Sequence, residues 1–260
     1  MTGDGTNTYI LGHKDLCVID PGPVDAAHLS CLLDHVQSHG NLRMILVTHS
    51  HLDHSPLARK LAEATGAEIL AFGDSLAGRS RQMQVLAQSG LAGGGEGVDA
   101  TFRPDRTLGD GSSIHLGQNQ IRAIWTPGHF GNHLCFAWRG AIFSGDHVMG
   151  WSSTFVSPPD GDLGAYMRSL DRLAAEMPRR LYPGHGAPID DPGTRIVELR
   201  NHRLMRERAI LDRLSQGAHT IPQLVAEIYT EIPRTLHHAA GRNVYAHLLD
   251  LHQRGLVKSH

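Results

Sequence analysis

Long apolar runs are missing from this 260-residue chain. No stretch approaches the roughly 20 residues needed to cross a bilayer, so no membrane partner is expected. The opening Met1-Thr-Gly-Asp-Gly5 has neither the basic start nor the apolar core of a secretion signal, and a cytoplasmic protein is the expectation. Cysteine is scarce: Cys17, Cys31 and Cys135 are far apart, with no CxxC pair, which excludes a disulfide framework and leaves reduced thiols as core filler. Aromatics make up only 5% of residues and form no stacking motif of the kind that reads single-stranded nucleic acid. Neither internal repeats nor low-complexity tracts occur.

What remains is ordinary, with one exception. Hydrophobic residues at 40% can fill a sizeable core, and a length of 260 suits one large domain with a small appendage. The exception is histidine, with 19 copies against 24 Lys plus Arg. The net charge of −2 is also unevenly divided. Residues 195–260 hold 10 Lys/Arg against 6 Asp/Glu, and the rest holds 14 against 20. A basic tail on an acidic body suggests a separate role for the tail, with a polyanion as one candidate partner and a solvated helix face as the other.

Strand and helix periods alternate through the first two-thirds. Tyr9–Leu11 and Leu16–Asp20 read as a hairpin, and Ala27–Val36 as a helix closed by Gly40. Met44–Val47 is a buried strand, Ser55–Gly66 a helix, and Glu68–Ala71 a strand. Residues 73–100, centred on Gly93-Gly-Gly95, are expected to be a helix plus a mobile loop at the rim of the active site. Strands follow at Ile114–Leu116, Ile121–Trp125, Leu134–Trp138, Ala141–Ser144 and Arg180–Tyr182, with a helix over 164–177. After Pro192 come helical periods at 195–215, 220–230 and 236–253, then an expected terminal strand at Leu256–Lys258. That suggests a catalytic domain over 1–194 and a winged-helix-like domain over 195–260.

The chemistry is concentrated in His49-Ser-His51-Leu-Asp53-His54, which leaves a strand and enters a helix. Extended backbone points His49 and His51 the same way. The turn then redirects Asp53 and His54 toward a second point, so two adjacent ions can share what one cannot. Three more strand ends carry a glycine turn and an ionisable residue: Trp125-Thr-Pro-Gly-His129, Phe143-Ser-Gly-Asp146 and Tyr182-Pro-Gly-His185. Imidazoles with carboxylates suit two Zn²⁺, with Mn²⁺ or Fe²⁺ as the other ions such a set accepts.

The run resembles the HxHxDH signature of the metallo-β-lactamase superfamily, and the later Gly-His, Gly-Asp and Gly-His turns match that family's further motifs across residues 5–190. The resemblance implies an α+β fold, a four-layered αβ/βα sandwich. It implies one ion on His49, His51 and His129, a second on Asp53, His54 and His185, and Asp146 bridging them. His51 stands where the oxygen-reducing diiron branch tends to carry Glu, which favours hydrolysis. Two ions about 3.5–4 Å apart lower the pKa of a shared water, and the hydroxide attacks a carbonyl carbon or phosphorus. Asp53 and Asp146 are then the catalytic carboxylates. Asp20 resembles a buried supporting acid of the family. His133 and Tyr166 are candidate substrate contacts, His147 a core residue, and Ser157–Asp162 a pocket-shaping loop.

The tail, with Arg203-Leu-Met-Arg-Glu207 and Val244–Leu249 before Arg254-Gly-Leu-Val, resembles the C-terminal winged-helix-like domain of a β-lactamase-like branch. That branch includes an endoribonuclease for single-stranded RNA, and a homodimer is what the resemblance implies. Three functions compete: phosphodiester hydrolysis of single-stranded RNA, ranked first, hydrolysis of a small-molecule thioester, lactone or lactam, and nucleic-acid-binding regulation without catalysis. The complete ligand set argues against the last. Arg203, Arg206 and Arg208 serve either as a solvated or phosphate-facing track, or to pack the tail against the catalytic domain.

Overall fold

The computed structural model describes residues 5–91, 93 and 97–258. Among them, β1 (Tyr9–Gly12), β2 (Asp15–Ile19), β3 (Asn41–Leu46), β4 (Glu68–Ala71) and β5 (Arg106–Thr107) form one sheet in sequence order. β1 and β2 are an antiparallel hairpin, and the pairings from β2 through β5 are parallel. The second sheet runs β10 (Arg180–Pro183), β9 (Ala141–Gly145), β8 (Leu134–Trp138), β7 (Asn119–Trp125), β6 (Ser113–Leu116). It is antiparallel except for the parallel β9–β10 pair.

The central strands are apolar on both faces because both faces are covered. Alternation sorts β2 cleanly: Leu16 and Val18 face outward onto α1 (Ala26–His39) and α2 (Leu57–Thr65), while Cys17 and Ile19 face inward to the second sheet. The inner layer joins Leu46 and Leu70 to Ile121, Leu134, Phe136 and Phe143. Beyond the second sheet, Ile124, Cys135, Ile142 and Leu181 meet Tyr166, Leu170 and Leu173 of α4 (Leu163–Ala175) and Ile196 and Leu199 of α5 (Pro192–Leu214). Three apolar layers between four secondary-structure layers make the αβ/βα sandwich. Each leucine enclosed in them contributes about 2 kcal/mol.

Helix boundaries follow local chemistry. Asp25 and Asp162 cap α1 and α4 by accepting from the His28 and Ala165 amides, and Gly66, in the left-handed region at φ 74°, ends α2. Pro192 stands in the first turn of α5, so the partition expected at 194/195 falls within that helix. α3 is Arg81–Gln88, and Gly94 and Gly95 of the expected loop lie outside the described residues.

Behind the sandwich, α5, α6 (Ile221–Ile228) and α7 (His237–Gln253) enclose their own core of Ile210, Leu224, Val225, Val244 and Leu251. One expectation fails here: Leu256–Lys258 is not a strand. The segment follows Gly255, at φ 72°, with Leu256 exposed, and no described strand lies alongside to supply ladder bonds. β5 is the converse case, a two-residue strand whose exposed Arg106-Thr107 carries no apolar signal.

Candidate metal centre

Parallel pairing puts the C-terminal ends of β3 and, through β9–β10, of β9 and β10 on common edges. Each expected ligand follows such an end or, for His129, the end of β7. Side-chain nitrogens and oxygens of His49, His51 and His129 lie within 4.8 Å of one another, as do those of Asp53, His54 and His185. His49, His54 and Asp146 form a third such set that joins the other two.

In the first set, His51 Nδ1 is 2.9 Å from His49 Nε2 and 3.2 Å from His129 Nε2. In the second, Asp53 Oδ2 is 3.2 Å from His185 Nε2 and 3.6 Å from His54 Nε2. Asp146 spans them. Its Oδ1 is 3.4 Å from both His54 Nε2 and His185 Nε2, and its Oδ2 is 3.7 Å from His129 Nε2. Neighbouring donors on a tetrahedral zinc, at about 2.0–2.1 Å from the ion, stand about 3.3 Å apart. The spacings fit such an ion on each side of Asp146.

Burial strengthens the fit. Oδ1 of Asp53, Oδ1 of Asp146 and Nε2 of His54 are buried without a geometrically sound hydrogen bond. Leaving such groups unsatisfied costs on the order of 1–3 kcal/mol each, and more when charged, which a divalent cation would offset.

The outward ring nitrogens are held. His129 Nδ1–H donates to Phe155 O at 2.7 Å, His185 Nδ1–H to Gly5 O at 2.9 Å, and His54 Nδ1–H to Asp20 Oδ2 at 2.9 Å. Thr48 Oγ1 donates to Asp20 Oδ2 at 2.7 Å and so accepts from His49 Nδ1–H at 3.0 Å. Asp20 thus fixes two rings at once, with its other oxygen on the Thr48 amide at 2.7 Å. These bonds place the Nε2 lone pairs inward.

The two sets differ electrostatically. Burial and neighbouring histidines push His51 down to about 3 and His49 well below its ordinary value. Burial also opposes protonation of His185 and His54. Even so, the nearby Asp146 and Asp53 carboxylates raise His185 to about 10, and the Asp146 and Asp20 carboxylates hold His54 well above its usual range.

His133 and Tyr166 are fully enclosed. His133 packs 5.2 Å from the His49 ring, with Nδ1 on Thr126 Oγ1 at 2.9 Å, and Tyr166 lies 4.7 Å from the buried His147 ring. Ser157–Asp162 runs beside His129: the Asp162 amide donates to Gly128 O at 2.8 Å. The 73–100 segment reaches the ligand turn through a bridge between Val98 and His51. Sequence reading missed Thr48 and Phe155. Thr48 had a signal, a hydroxyl directly before the first ligand, whereas Phe155 acts through its carbonyl and had none. Gly184 was also missed as a spacer: a Cβ there would meet Asp146 Oδ1 at 2.5 Å.

Two facing mixed sheets, helices on both outer faces and a His/Asp cluster at strand ends define an αβ/βα sandwich with a candidate metal site at one edge. The chain belongs to the metallo-β-lactamase superfamily, whose model matches residues 1–185, and residues 220–260 match the β-lactamase-associated winged helix domain. It is 32% identical to the β-lactamase-like protein 2 homolog of Drosophila melanogaster, over 99% of this chain and 86% of that one. It is 30% identical to an atrochrysone carboxyl ACP thioesterase of Aspergillus chevalieri, over 88% of this chain and 69% of that one. A metallo-β-lactamase family protein from Thermus thermophilus superimposes with a TM-score of 0.75 at 26% identity, over 97% of this chain and 90% of that structure. No helix among the described residues is long and apolar enough to cross a membrane.

Proposed function

We propose that this chain hydrolyses a thioester, or a similarly activated acyl bond, at a centre of two zinc ions. His49, His51 and His129 hold one ion, and Asp53, His54 and His185 the other, with Asp146 joining them. Bound there, the ions supply an activated water and stabilise charge developing on oxygen. Asp53 Oδ1, which has no hydrogen-bond partner, would accept a hydrogen bond from that water and orient it for attack. Asp20 and the Phe155 carbonyl keep the rings in the tautomer that leaves Nε2 free. A cytoplasmic homodimer acting on a diffusible substrate completes the proposal, and light scattering tests its stoichiometry.

One observation carries the choice of bond: most of the tail's cations are already engaged, leaving Arg208, Arg234 and Lys258, scattered along the tail sequence, as its exposed ones outside such contacts among the described residues. Arg203 is buried, Arg206 lies over the Tyr229 ring and donates to Ile228 O, and Arg200, Arg213 and Arg254 pair with Asp171, Glu227 and Glu207. A track for a polyanion needs cations facing solvent. The thioesterase named among the relatives supports the same reading.

RNA cleavage is the second reading, supported by the winged-helix match and the basic tail. Parallel assays of the zinc-loaded protein on an acyl thioester, single-stranded RNA, a bis-aryl phosphodiester and a chromogenic lactam decide between them. Thioester turnover at least about a hundredfold faster than the others, per kcat/KM, is expected. RNA cleavage with no thioester turnover would sink the first reading and carry the second.

A further inference from the structure

We propose that Arg203 is a positioning residue for the metal centre: from α5 it sets the carbonyl of the loop that aims His129, so the C-terminal helices shape one half of the site.

The loop between Asp146 and α4 has no helix or strand of its own from 149 to 156, yet it carries two features of the centre. Phe155 O receives the His129 Nδ1–H, and Thr154 Oγ1 donates to Asp146 O at 2.9 Å and His147 O at 3.0 Å. Backbone carbonyls without ladder partners need donors from elsewhere, and here the donors are arginines of the tail. Arg195 takes Met149 O and Ser152 O, each at 2.8 Å. Arg242 takes Ser157 Oγ at 2.8 Å and Pro158 O. Arg203 takes Thr154 O, the carbonyl of the peptide unit leading into Phe155.

Arg203 is the telling member. It is 3% exposed and forms no ion pair among the described residues. Its other contacts are Asn243 Oδ1 at 3.0 Å and the face of the Tyr166 ring at 5.5 Å. Burying a guanidinium without a carboxylate is expensive, and an aliphatic side chain would pack the same space without that cost. What an aliphatic chain cannot do is donate to Thr154 O and to Asn243 at once. The bond to Thr154 O fixes the Thr154–Phe155 peptide, immediately before the Phe155 carbonyl that orients His129, and the bond to Asn243 ties Arg203 itself to α7. The effect should therefore be lopsided. His129 belongs to the set with His49 and His51, while the outward nitrogens of His54 and His185 are held by Asp20 and Gly5, which Arg203 does not touch.

The inference rests on the metal reading above, and Co²⁺ binding to the full chain tests both separately. For Arg203→Met the dissociation constant of the His49/His51/His129 site should rise about tenfold, the low end for a group acting through a ligand's hydrogen bond. The Asp53/His54/His185 site should stay within about twofold, and the visible Co²⁺ spectrum of the first site should change. Arg203→Lys, which keeps one donor, should lie between. Should Arg203→Met not fold, Asn243→Ala frees one anchor and should shift the same site in the same direction. Arg206→Met, which removes a tail arginine away from the loop, should match wild type. Equal weakening of both sites with an unaltered spectrum, or no weakening, would overturn the positioning role alone. A wild-type chain that binds no Co²⁺ would overturn the metal reading with it.

Discussion

Buried and half-buried polar groups are dense in two regions of this molecule and behave differently in each. At the strand ends, His49, His51, Asp53, His54, His129, Asp146 and His185 converge, and several inward-facing atoms find no hydrogen-bond partner. At the junction of the C-terminal helices with the sandwich, Arg195, Arg203 and Arg242 are just as charged, yet they donate to carbonyls or a hydroxyl of one loop. Convergent orphans need a ligand to be satisfied. Engaged cations are already satisfied by the protein and act as architecture. Charge counts alone do not separate the two cases, which is why the basic tail pointed first to a polyanion.

The largest expected effect comes from breaking the first region at its centre. Asp146→Ala removes the only carboxylate among the described residues whose two oxygens face both candidate ligand sets. Activity should fall by on the order of a thousandfold or more, the scale for losing preorganised electrostatic contact in a closed site. Metal analysis should find fewer than two ions per chain. Retention of full activity would contradict the shared-carboxylate arrangement.

Within the same region the two halves should part with pH. An imidazole must be neutral to bind metal. His185 is raised to about 10, so near neutrality the metal-free protein holds a proton there that binding must displace, and His54 is shifted the same way. Affinity of that half should rise with pH, by about tenfold per unit for each proton displaced, up to about pH 10. His51, lowered to about 3, has no proton to lose above about pH 5, so its half should be nearly flat. Zinc titrations from pH 6 to 8, with proton release followed by an indicator dye, measure both, and parallel profiles would refute the asymmetry. The same shift has a stability sign. A group raised in the folded state stabilises the metal-free fold fully below its ordinary value of about 6.5, and that stabilisation fades as pH climbs through about 10.

A smaller and more local break is Gly184→Ala. The new methyl would sit 2.5 Å from Asp146 Oδ1 and 2.8 Å from His54 Cε1, closer than real contacts allow. Either the carboxylate or the β10 turn must shift. Affinity of the Asp53/His54/His185 half should drop about 10- to 100-fold, the usual scale for disturbing what supports a ligand. Unchanged affinity in calorimetry would mean the turn yields freely.

The same contrast explains what the sequence could disclose. The candidate ligands cluster in short motifs after apolar strands, so the residues that converge were readable as the HxHxDH run and the three glycine turns, and the sandwich was readable from strands such as Leu16–Ile19 that are apolar on both faces. Asp20 was readable as an acid at a strand end. Thr154 and Phe155 were not, because they act through a hydroxyl and a carbonyl that any loop possesses. The role of Arg203 was equally hidden: helical periodicity cannot tell a buried arginine from an exposed one three residues away, such as Arg200. The expected terminal strand at Leu256–Lys258 failed for a related reason, since a strand exists only where another backbone lies beside it.

The least effect should come from the exposed cations of the tail, and its smallness is informative. Arg213 pairs with Glu227 and Arg254 with Glu207 on partly exposed surface. Such pairs contribute about 0.2–1 kcal/mol at most, because water screens them and ordering two long side chains costs entropy. Arg213→Ala should therefore lower the melting temperature by no more than about 2–4 °C. Its bearing on substrate is sharper. If the tail tracked a single-stranded polyanion, removing a phosphate-contacting cation would reduce the salt slope of binding by about 0.7. Because Arg213 is already paired, fluorescence anisotropy with a labelled oligoribonucleotide at several salt concentrations should give the same shallow slope for wild type and variant. A steep wild-type slope that flattens in Arg213→Ala would show that a nucleic acid outcompetes Glu227 for the guanidinium, moving the tail from architecture to recognition.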